Sequence, residues 1–183
     1  MNKLITILSF SPRNSGNCAA ISRHVSKYHE KHIVHSIVID RNAVPACGNC
    51  DYECLKSNLA CPLRTKEYDR IMDTVSQSDL VYFIVPNYCG YPCANYFAFN
   101  ERSVGYFGMD RNKMDRYMNV PKRFIIVSNT EGFEEAMQQQ TNEPPEILYL
   151  KSRAYGKSSI AGDILESDAT KADLDAFLSL KDL

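Results

Sequence analysis

Ser11-Pro12-Arg13-Asn14-Ser15-Gly16-Asn17-Cys18 directly follows the apolar run Lys3–Phe10 and combines groups that suit a phosphate. Ser11 offers a hydroxyl and Arg13 a fixed-charge fork, and Gly16 lets the backbone approach closely. A helix opening at Asn17 and Cys18 would aim its free amides at the same point. The alternative is a plain strand-to-helix connection whose Ser, Asn and Gly satisfy turn and cap preferences. A second constellation is Cys47-x2-Cys50-x3-Cys54-x6-Cys61, four of the seven cysteines within fifteen residues. Thiolates in that density suit an iron–sulfur cluster or a tetrahedral zinc. The competing reading is a metal-free loop, favoured by the acidic Asp51 and Glu53 beside it.

The elements that must hold these residues alternate along the chain. Lys3–Phe10 reads as a strand buried on both faces. Ile21, Val25 and Tyr28 then recur at helical spacing behind Asn17. His32–Asp40 is a second strand rich in β-branched residues, and Tyr68, Ile71, Met72 and Val75 stripe a helix over Thr65–Gln77. Leu80–Val85, ended by Pro86, and Phe124–Ser128 are further buried strands, and Ser158–Ile164 is a weaker fifth. Leu174, Phe177 and Leu178 mark a C-terminal helix with Asp168 near its start. The expected fold is a single α/β domain: a three-layer, doubly wound, five-stranded parallel sheet in the order 2-1-3-4-5. Two segments resist this pattern. Met109–Val120 is polar enough for an inserted loop or short helix, and Pro144-Pro145 is expected to divide a crossover helix within Glu134–Gly156.

Ligands of such sheets bind beyond the carboxyl ends of the strands. Two more loops fall at that edge: Val85-Pro86-Asn87-Tyr88-Cys89-Gly90 and Asn129-Thr130-Glu131-Gly132-Phe133. Each alone is turn chemistry; three at one rim argue for a site.

On Ser11-Pro12-Arg13…Gly16-Asn17-Cys18, Cys47…Cys50…Cys54 and Pro86…Tyr88…Gly90, in matching order over about residues 1–135, the chain resembles the flavodoxin-like NAD(P)H-dependent FMN reductases, including the iron–sulfur flavoproteins. The resemblance implies a flavodoxin-like fold and an FMN phosphate held by the first loop: Ser11, Arg13, Asn14, Ser15, Gly16, Asn17 and Cys18. It implies an isoalloxazine ring flanked by Pro86, Asn87, Tyr88, Cys89 and Gly90 and by Asn129, Thr130, Glu131 and Gly132. Cys18 departs from the Ser or Thr usual there, and a thiol is a weaker donor than a hydroxyl. The iron–sulfur members place two residues between their second and third cysteines where this chain has three; Cys47, Cys50, Cys54 and Cys61 are the ligands a 4Fe–4S cluster or zinc would use. The implied activity passes electrons from NAD(P)H through the flavin to a quinone, a nitro or azo compound, free flavin or an electron carrier. A rival reading is an electron-transfer module reduced by a partner protein, and another is a non-catalytic protein of the same fold. The resemblance also implies a homodimer or larger assembly, with residues 91–107 and 109–120 as candidate contacts.

Composition narrows the classes. A formal net charge of −1 gives no general attraction to nucleic acid or an anionic membrane. Leu4–Phe10 is far shorter than the ~20 residues that span a bilayer, and no cleavage site follows, so the cytoplasm is expected. His24, His29, His32 and His35 read as solvated surface residues. Gly156-Lys157-Ser158 lacks the first glycine of a phosphate-binding Walker loop, and no Gly-x-Ser-x-Gly elbow is present. Tyr91, Tyr96, Phe97, Phe99 and Tyr106 suit core or subunit contact, with one or two expected near the flavin.

Overall fold

The computed structural model describes residues 2–48, 50–56 and 60–180. Strand β1 (Leu4–Ser9) leads into helix α1 (Asn17–Tyr28) and β2 (Ile33–Val38). After the cysteine segment come α2 (Lys66–Ser76), β3 (Leu80–Tyr88), β4 (Tyr91–Pro92) and α3 (Ala94–Phe107). Then follow α4 (Arg111–Met118), β5 (Lys122–Val127), α5 (Glu134–Gln138), β6 (Glu146–Leu150) and α6 (Asp168–Leu178). The parallel strands run β2-β1-β3-β5-β6, and β4 pairs antiparallel with β3. Counted among parallel strands alone, that is the 2-1-3-4-5 order of a flavodoxin-like fold.

Alternation along the strands builds two cores. Val81, Phe83 and Val85 of β3 face α2 and α3, meeting Tyr68, Met72, Val75, Tyr96 and Phe99. Leu80, Tyr82 and Ile84 face the other way, toward Ile21 and Val25 of α1 and Leu174 and Phe177 of α6. Phe10 stacks on Phe83 at 5.6 Å between ring centroids, and Phe99 meets both edge-on. Truncating a fully buried ring such as Phe83 costs about 3–5 kcal/mol. The strand register sets the rim: Ser9 lies opposite Ile84, and Pro86 opposite Val127. β1 and β5 therefore end within two residues of one another along β3, which runs on to Tyr88, and the segments that follow converge.

Four expectations need correction. The fifth parallel strand is β6, and Ser158–Ile164 is a turn. There the Ser158 hydroxyl accepts from the amides of Ile160 and Ala161, and Gly162 adopts φ +81°, so side chain and glycine capture a backbone that a ladder would otherwise need. Pro144-Pro145 precedes β6 and divides no helix. β3 continues through Pro86 to Tyr88, then turns back over Cys89 (φ +54°) and Gly90 (φ +82°), the two positive values a tight hairpin turn requires. His29 is buried, its Nε2 2.9 Å from the Tyr82 hydroxyl.

The polar stretch Met109–Val120 contains α4, capped by Asp110, whose carboxylate accepts from the Lys113 amide, and anchored by the buried Tyr117. β2 is an edge strand with largely exposed side chains. No described helix is long and apolar enough to cross a membrane.

Candidate functional site

The loops after β1, β5 and β6, with the end of β3, line a cavity of about 290 Å³ at the carboxyl edge of the sheet. It brings together Ser11, Arg13 and Gly16 of the first loop, Asn17 and Cys18 at the start of α1, Pro86, Asn87 and Tyr88 at the end of β3, and Asn129 and Thr130 of the third loop. Helix α1 begins here on Gly16, in extended conformation (φ −83°, ψ 177°), with no side-chain cap and no acid in its first turn. Its free amides and dipole are thus left uncompensated at the cavity wall. Arg13 and Arg153 add two guanidiniums, and no described lining residue is acidic. A chain of net charge −1 has concentrated positive charge in one cleft.

Polar cross-ties hold the rim. Asn87 Nδ2 donates to Thr130 Oγ1 at 2.8 Å, while Asn87 Oδ1 accepts from the Gly90 amide. Asn129 Oδ1 accepts from the Arg153 amide at 3.0 Å, and its Nδ2 donates to Ser159 Oγ. Asn17 Nδ2 donates to the Ser158 carbonyl at 2.9 Å, and its Oδ1 accepts from the Ile164 amide at 3.3 Å. Asn17 therefore contributes its backbone to the cavity and its side chain to a latch. The Cys18 side chain packs in the apolar cluster around Ile21 and Val25. Burial pushes its thiol up to about 12, with the nearby Cys93 adding to the effect. A neutral thiol facing the core leaves only the Cys18 amide for an anion.

Other expected residues fall outside the cavity wall. Asn14 is exposed and its carbonyl accepts from Arg23, while the Ser15 carbonyl faces Gly162. Cys89 and Gly90 form the hairpin tip, and Glu131 pairs with Lys151. Gly132 takes φ +101°, which shapes the loop entering α5.

Sequence reasoning missed Arg153, Ser159 and Ile160, which form the cavity's far side. Their signal was positional. Once Glu146–Leu150 is recognised as the last strand, everything just after it must lie on the ligand edge.

The cysteine segment lies against α3. Cys61 is buried, its Sγ 3.8 Å from Arg102 Nη1, and a Cβ at Gly105 would sit 2.9 Å from Cys61 Cβ. Burial, then the thiols of Cys61, Cys50 and Cys47, push the Cys54 thiol up. Among the described residues no three His, Cys, Asp or Glu side chains are arranged to hold a metal ion.

No protein-family model matches the chain, and no curated protein matches it in sequence. Solved structures share the whole fold. The Trp repressor binding protein from Bacillus subtilis is similar at 15% identity and TM-score 0.63, over 98% of this chain and 99% of that one. RosB, solved with bound 8-demethyl-8-formylriboflavin-5'-phosphate, is similar at 12% identity and TM-score 0.66, over 97% of this chain and 76% of that one. FerB, a flavoenzyme NAD(P)H:(acceptor) oxidoreductase from Paracoccus denitrificans, is similar at 11% identity and TM-score 0.55, over 96% and 95%.

Proposed function

We propose that the chain binds FMN in this cavity and acts as an NAD(P)H-dependent oxidoreductase. The carrying observation is the pairing of an uncapped helix start with Arg13 and Arg153 in a wall free of described acids, an arrangement that suits a dianionic phosphate. Pro86 and Tyr88 supply a stiff, flat flank for a ring, and the Asn87–Thr130 tie holds that flank against the third loop. Flavin held there would supply two-electron chemistry, in which NAD(P)H, a proton and a quinone become NAD(P)+ and a hydroquinone. The protein's own part is to grip the phosphate, orient the ring and limit water. No side chain is assigned as acid or base. The exposed apolar side chains of Tyr91, Phe97, Val104 and Met109 fit the expected homodimer contact.

The test is spectroscopic. Purified protein, supplied with FMN, should carry flavin absorbance that NAD(P)H bleaches without oxygen. Arg13→Gln should weaken FMN binding about 10- to 100-fold in a fluorescence titration. A protein that cannot be loaded with FMN, or a bound flavin that NAD(P)H leaves coloured, would overturn the reading.

A further inference from the structure

A second cavity, of about 620 Å³, opens on the other side of the first loop. It is bounded by Pro12 and Arg13, by Asp40, Arg41 and Asn42 beyond β2, and by Tyr88 with the start of α3. Arg13 and Tyr88 line both cavities, so the two meet across these side chains. Occupants of the two would be separated by no more than these side chains.

Its polar groups divide into those already committed and those that are not. Asp40 Oδ1 accepts from the amides of Asn42 and Ala43 at 2.9 and 2.8 Å, tying the acid to its own turn. Asn95 Nδ2 donates to the carbonyls of Phe10 and Ile39. Arg41 has no hydrogen bond or ion pair with any described residue, and neither has the Arg13 guanidinium. The exposed ring of Tyr88 gives the cavity one aromatic wall. A flat ring carrying one negative group satisfies both kinds of wall: the ring against Tyr88 beside the first cavity, the anion at Arg41.

We propose that this second cavity is the electron-acceptor site, that it selects aromatic acceptors bearing a carboxylate or sulfonate, and that Arg41 determines that selection. The proposal rests on the flavin reading above. The experiment compares methyl red, an azo dye with a carboxylate, against its uncharged methyl ester. Reductive cleavage of either dye to two amines takes four electrons, supplied by two NAD(P)H with protons from solvent.

In FMN-loaded protein the ratio of kcat/KM for acid over ester should fall about three- to tenfold in Arg41→Gln and further in Arg41→Glu, with flavin content equal to wild type. Binding of the two dyes to flavin-free protein, read by difference absorbance, should show the same loss of preference. That arm reads the Arg41 selection apart from flavin loading, so a failure of the cavity and a failure of the flavin reading are told apart. An unchanged ratio in the variants, or a change in KM for NADPH in place of the dye preference, would overturn it.

Discussion

Asn17 stands in the first turn of α1, yet both ends of its amide are spent on residues more than 140 positions away. Removing that amide strands the Ser158 carbonyl and the Ile164 amide at once. Asn17→Ala should therefore cost about 1–3 kcal/mol in chemical denaturation. It should also weaken FMN binding, because Ser159 and Ile160 would be held at the cavity by the Asn129–Ser159 bond without the Asn17 latch. Asn17→Asp keeps the acceptor for Ile164 but loses the donor and brings negative charge to the helix start, so its flavin affinity should fall below that of Asn17→Ala. Cys18 illustrates the opposite point. A substitution that looks costly by side-chain chemistry is of little consequence when the side chain faces the core and only the amide faces the cleft.

Loop against loop is the next scale. Gly162, at φ +81°, presses so close to the first loop that a Cβ there would fall 2.1 Å from the Ser15 carbonyl oxygen. Gly162→Ala adds a backbone clash to a conformation L-residues avoid, and should destabilise by about 2 kcal/mol or more by denaturant midpoint. Restoring distance by Ser15 substitution should not help, since the clashing atom is main chain.

The legibility of the elements follows their burial. β1, β3 and β5 were readable because both faces are covered and the apolar run is continuous. β6 was not, because it has one fully buried residue, sits at the sheet edge and starts just after two prolines. Missing β6 meant missing Arg153, Ser159 and Ile160, so a local misreading of one edge strand removed one side of the site. The first loop was legible for a different reason: its Ser, Arg and Gly are chemically unusual together, whatever follows them.

Across the whole molecule, the end opposite the cleft carries the buried Lys122. Its Nζ donates to the carbonyls of Tyr117 and Val120 (3.0 Å to the latter), 4.5 Å from the Tyr117 ring centroid. Burial nonetheless pulls its pKa down to about 7. Above that value the folded protein sheds a proton that the unfolded chain keeps until about 10.5. Stability should thus rise with pH, by about 2 kcal/mol between roughly pH 7 and roughly pH 9. Beyond that window the buried tyrosines Tyr68, Tyr96 and Tyr117, whose phenols burial pushes up, oppose the trend. Lys122→Met should flatten the rise in urea melts taken across the window.

The latch from Asn17 to Ser158 and Ile164 also orders events in time. During synthesis, the helix start and Arg13 leave the ribosome long before the residues that close the far side of the cleft. Until Ser158 and Ile164 dock on Asn17 the far side of the cleft is not closed, so on the proposed reading a phosphate-bearing cofactor should be retained only once that segment has folded back.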